Sequence, residues 1–161
     1  MTITKSKIKM RTAKIGATKK LKSSSALKKE LEELWKQIIK VKAGFKSELS
    51  GISGKQIGGS ESITAHHIVG KGTDRLRFLE FDNGICLVNG SEHIFGVHHK
   101  WNPARAKEVS DQIISYIGQE RYDRLLSMRK QCSKGKTDLQ AAKIFLKQTL
   151  DELLKLKVDQ E

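Results

Sequence analysis

The sequence predicts an α+β fold in which a two-stranded β-hairpin is flanked by an N-terminal helix and a C-terminal helical region. Three observations predict it. Leu27, Leu31, Leu34, Trp35, Ile38 and Ile39 recur at helical spacing. Two short apolar or β-branched stretches, residues 61–68 and 85–88, are bounded by Gly, Asp and Asn turn signals. The last third alternates helix caps and stops with apolar positions at helical spacing.

Taken in order, residues 1–24 read as a basic flexible arm, because eight Lys or Arg residues lie between Lys5 and Lys22 and the first carboxylate is Glu30. Ser25 is the expected cap of a helix over 25–44 that ends near Gly44. Residues 45–62 carry Gly51, Gly54, Gly58 and Gly59 and read as an irregular connector. The two strands follow, joined by an Arg-rich loop. Asn102 and Pro103 form a cap and first-turn pair for a helix through Ile117 that Gly118 ends. A further helix spans about 119–130, and Thr137 with Gln140 makes a capping box for the last one. Residues 45–102 thus hold the hairpin segment and 103–161 the helical region packed on it.

Composition narrows the function. With 37% hydrophobic residues among 161 and no apolar run near membrane length, a membrane span is excluded. The first twenty residues lack the apolar stretch of a secretory signal, and two cysteines, Cys86 and Cys132, are too few for a disulfide framework. A reducing cytoplasm is the expected setting. A net charge of +13 and a pI near 9.8 favour a polyanionic partner, nucleic acid before an acidic membrane surface, against a merely solvated basic exterior.

The chemistry concentrates in one place, since all five histidines lie between His66 and His99. On a strand, His66 and His67 point to opposite faces, which predicts divided roles. Metal-assisted hydrolysis needs that division: one group holds the cation while another stays unligated to take a proton from water. His93 and His98 are five apart, one more than the spacing that stacks two ligands on an α-helical face. A helix that ends or loosens near Gly96 would still turn His98 toward the metal, and His98 is favoured over His99 as the third ligand. A lone histidine is more often a hydrogen-bonded surface residue, but two His pairs flanking a β-turn-β segment are hard to explain by packing.

The run Ala65-His66-His67-Ile68, then Asp82-Asn83-Gly84-Ile85-Cys86-Leu87, then His93, resembles the His-Asn-His pattern of HNH (ββα-metal, His-Me finger) endonucleases. Phe45 to Gly51, Leu76-Arg77-Phe78, His98 to Pro103, and Gly118, Glu120, Arg121, Tyr122 and Leu125 are similar to the HNH proteins carried by bacteriophages, recombination endonucleases among them. The resemblance covers about residues 31–130. It implies a ββα-metal core and a metal-dependent endonuclease that hydrolyses DNA phosphodiester bonds. His67 would be the general base, Asn83 would orient the base-bearing loop, and His66, His93 and His98 would be metal ligands. One divalent ion is implied, Mg²⁺ or Mn²⁺ first and Zn²⁺ or Ni²⁺ as alternatives. Where relatives carry two Cys-x-x-Cys pairs, this chain has Ser47 and Ser50, then Val88 and Ser91, with Glu92 as one extra residue, so no structural zinc is expected.

Arg75, Arg77, Lys71 and Lys100 are the candidate DNA-phosphate contacts, and Trp101 is expected to serve in core or helix-entry packing rather than base stacking. The competing reading is a non-catalytic, basic DNA-binding or recombination accessory protein whose histidines hold a structural metal. Monomer and homodimer both stay open, as do nicking and double-strand cleavage. The expected location is the cytoplasm, that of the host cell for a viral protein.

Overall fold

The computed structural model describes residues 23–57, 59, 62–70, 72–131 and 137–158. The basic arm, except for Ser23 and Ser24, lies outside the described residues, as do Glu61, Lys71 and Cys132.

The first helix, α1, runs Ser24–Lys42 and is capped by Ser23, whose Oγ accepts from Ala26 N. The cap is therefore Ser23 and not Ser25: Ser23 has the extended backbone a cap requires, which places Ser25 inside the first turn. The helix buries Leu27, Leu31, Trp35, Ile38, Ile39 and Val41, and also Glu32, a carboxylate on an apolar face.

Strands β1, Ile63–His67, and β2, Gly84–Val88, pair antiparallel in the register Ile63 with Val88 through His67 with Gly84. The hairpin is covered on both faces. Ile63, Ala65 and Cys86 pack with Trp35 and Ile39 of α1. Ile85 and Leu87 face the other way, onto Val109 and Ile113. Gly84 is where α1 comes closest, since a Cβ there would stand 2.4 Å from Ile39 Cδ1 and 2.9 Å from Trp35 Cζ2.

The Arg-rich segment between the strands is more ordered than a loop. It winds into α2, Asp74–Phe78, capped by Thr73, then a 3₁₀ turn at Phe81–Asn83. After β2 the chain enters a nine-residue π-helix, Asn89–Val97. Helix α3, Pro103–Ile117, starts at the Asn102 cap and stops at Gly118, whose φ of 84° suits a residue without Cβ. Helix α4 spans Gln119–Gln131.

The last helix, α5, is Leu139–Val158. Its cap is Asp138, whose Oδ1 accepts from the N–H groups of Gln140 and Ala141, so the expected Thr137 capping box gives way to a carboxylate one residue later. Ala142 and Leu146 of α5 close a core cluster with Leu31 and Ile38 of α1 and Phe78 of α2. The fold is α+β: one small antiparallel sheet among helices.

The connector between α1 and β1 is tied to β2 by acids and a hydroxyl. Glu48 Oε2 accepts from Cys86 N, and Glu92 Oε2 accepts from both Ser47 Oγ at 2.6 Å and Val88 N at 2.7 Å. Ser47 Oγ in turn accepts from the N–H groups of Leu49 and Ser50. Glu92, the extra residue of the sequence pattern, is thus the acceptor that joins the two segments.

Candidate active site

Because strand neighbours face opposite ways, His66 lies on the Ile85 face of the hairpin and His67 on the face covered by α1. The π-helix supplies the rest. Its i to i+5 bonding, seen at its end where His98 N donates to His93 O at 3.0 Å, widens the turn by one residue relative to an α-helix. A five-residue separation therefore returns His98 to the side of His93. The rings of His66, His93 and His98 stand edge to face, with centroids 5.2, 5.1 and 4.7 Å apart. One nitrogen from each lies within 4.8 Å of the others, and His99 is not part of the group.

Burial, followed by the neighbouring His93, His98 and His67, holds the His66 imidazole at about 3, so it is neutral and free to ligate at ordinary pH. Burial, then His98 and Lys36, also lowers His93. His93 Nδ1 is buried with no hydrogen-bond partner. Three converging imidazoles, with an unpartnered nitrogen on His93, fit a divalent cation, and an all-nitrogen set suits Ni²⁺ or Zn²⁺ better than the oxygen-seeking Mg²⁺ or Mn²⁺.

His67 stays apart from the three. It is 7% exposed, and its ring lies on that of Trp35, with centroids 3.8 Å apart and planes 15° from parallel. Glu32 Oε1 stands 3.6 Å from His67 Nε2, an ion-pair distance longer than a hydrogen bond. The other oxygen of Glu32 accepts from Arg77 Nε at 2.8 Å. Burial alone would raise the Glu32 carboxyl, but the His67 imidazole and the Arg77 guanidinium beside it hold it at about 2.

Asn83 fixes the chain directly after His67. Fully buried, it accepts at Oδ1 from Val69 N and donates through Nδ2 to Val69 O and Leu76 O, while its own carbonyl accepts from Ile68 N. Only an amide offers donor and acceptor in this arrangement. Arg121 of α4 donates to the carbonyls of Asp82 and Gly84, bracketing Asn83 from behind.

Glu32, Lys36, His66, His67, Gly70, His93 and His98 line one cavity of about 330 Å³. Glu32 and Lys36 come from α1 and escaped the sequence reading. The signal was present: Glu32 is three residues before Trp35 and seven before Ile39, so the helix carries an acid on its inward face.

The expected phosphate contacts are distributed unevenly. Lys100 is exposed beside His99, and Lys71 is outside the described residues. Arg77 is engaged by Glu32, and Arg75 lines a separate cavity against Asp138 and Phe145. Trp101 departs from expectation most. It is 93% exposed, because the turn closed by Asn102 N on His99 O leaves it ahead of α3 with nothing packed over it.

No family model, curated protein or solved structure matches the chain.

Proposed function

We propose that this protein is a metal-dependent endonuclease of the HNH type that hydrolyses DNA phosphodiester bonds. One observation carries the reading: three imidazoles converge on a point while a fourth, held apart by its own supports, faces the same cavity. The order β1, β2, helix, with His66 on the first strand and His93 on the following helix, supports a ββα-metal arrangement.

In this reading His66, His93 and His98 hold the cation, which when bound offsets charge on the scissile phosphate and acidifies a water. His67, which lines the cavity, receives the proton of the attacking water, and Glu32, 3.6 Å from its Nε2, favours the imidazolium that results. Trp35, stacked on that ring, keeps it from rotating toward the metal ligands, and Asn83 pins the backbone just after it. Lys36, which lines the cavity, and the chain's charge of +13, to which exposed Lys100 contributes, draw the DNA backbone to it.

The test is supercoiled plasmid with Mn²⁺, Mg²⁺, Ni²⁺ or Zn²⁺. His67→Ala is expected to cut about 10²–10⁴-fold more slowly with metal affinity retained. By calorimetric titration, His93→Ala is expected to lose more than the about 10–100-fold in metal affinity that a merely supporting residue costs. Intact plasmid in every metal, with its mobility still shifted, would instead favour the accessory DNA-binding protein with a structural metal.

A further inference from the structure

The two tryptophans occupy opposite environments. Trp35 is fully buried on His67, whereas Trp101 is 93% exposed. Phe95, 63% exposed, and Ile94, 47% exposed, stand on the π-helix directly after the ligand His93, six and seven residues before Trp101. The backbone bond from His99 N to Gly96 O and the turn between His99 and Asn102 fold the Trp101 segment back toward that helix. The His99 ring lies 6.3 Å from that of Phe95, and exposed Lys100 stands between His99 and Trp101. Exposed apolar and aromatic side chains, a lysine and two histidines thus follow one another over residues 94–101, directly after the ligand His93 and on either side of the ligand His98 in the chain.

Solubility gives no reason for three large apolar side chains, two of them aromatic, to stand exposed within eight residues of one basic segment. The occupant must offer flat apolar faces and negative charge together, and nucleic-acid strands do. In a duplex, however, each base face is covered by its stacked neighbours, so an aromatic platform gains most from bases already unpaired. We propose that Trp101, with Phe95 and Lys100, forms a stacking rim for unpaired bases. The substrate is then DNA with a single-stranded stretch next to the scissile phosphate. This rests on the DNA-cleaving reading and specifies its substrate class.

The test uses the full chain without added metal, so binding is read apart from cleavage. Since Trp35 is buried, quenching of tryptophan emission by a DNA strand reports on Trp101. Oligo(dT) is expected to quench that emission, and a blunt duplex of equal length to quench it far less. Trp101→Ala is expected to lower single-strand affinity about tenfold or more, with Trp101→Phe recovering most of it and duplex affinity unaltered. Trp101 supports no packing, so neither variant endangers the fold.

Equal binding of single strands by native protein and Trp101→Ala would overturn the rim, whatever the plasmid assay gives. Persistent quenching by oligo(dT), with neither plasmid nor a duplex carrying a single-stranded gap cleaved in any metal, would leave the rim standing and remove the hydrolytic reading. Emission indifferent to DNA, with self-association that Trp101→Ala abolishes, would assign the patch to contact between copies of the chain and overturn the rim as well.

Discussion

Glu32 shows how one side chain decides the character of its neighbours. Its carboxylate sits 8% exposed between Arg77 and His67, and without it a guanidinium and an imidazole would face each other across a half-buried space. Glu32→Gln keeps the shape and removes the charge. The expected loss is about 1–3 kcal/mol at neutral pH, read from urea denaturation, the range for charge-assisted bonds left incomplete. The acid dependence follows from the depressed carboxyl. A group at about 2 when folded and 4.5 when unfolded contributes stability fully above pH 4.5 and loses it as pH falls toward 2. The Gln variant is therefore expected to be less stable at pH 7 and to lose less between pH 4.5 and 2. Parallel curves for the two proteins would contradict the ionised pairing. Residue type and clustering made the histidines legible, whereas Asn83 stood out only through the resemblance to the His-Asn-His pattern. The partners of His67 were not, because Glu32, Trp35 and Arg77 lie far from it in sequence and meet it only when α1 and α2 pack against the hairpin.

At the level of elements, α1 and β2 approach so closely that only glycine fits at position 84. Gly84→Ala must displace Ile39 or Trp35, and overpacking of this kind costs about 1–3 kcal/mol. A lowered melting temperature is expected together with reduced activity, since Trp35 is also the ring on which His67 lies. Unchanged melting would mean that the helix shifts freely on the sheet. Most elements were readable from caps and periodicity: Asn102, Pro103 and Gly118 bracket α3, and the strands fall within one or two residues of expectation. The π-helix was not. Sequence reasoning presumes 3.6 residues per turn, under which His93 and His98 diverge, and Gly96 marks only a point where the helix could end or loosen, not a π-helix over Asn89–Val97. Its packing does explain part of it: Gly96 lies against Val109 of α3, where a Cβ would meet methyl carbons at 3.2 and 3.3 Å. The helix is pressed between α3 and the hairpin.

On the scale of the whole molecule, α5 never reaches the cavity, yet α1 stands between the two with one side on each. Removing residues 137–158 would uncover Leu31, Ile38 and Phe78, each fully buried. At about 1.5–3 kcal/mol per large apolar side chain, the loss rivals the about 5–15 kcal/mol that holds a typical domain together. The truncated chain is expected to show no cooperative unfolding by circular dichroism and no metal-dependent cleavage. A sharp thermal transition would place the folding unit in the first 131 residues.

The junction of Ser47, Glu92 and Val88 has a practical corollary. A joint made from a hydroxyl, a carboxylate and a backbone amide offers nothing for an oxidant or a thiol reagent to attack. The nearby Cys86 is equally inert, with burial, then Glu48, pushing its thiol up to about 12. On the proposed function, chelating agents are expected to remove activity and leave this joint, and with it the circular dichroism spectrum, unchanged, with activity returning when metal is added back.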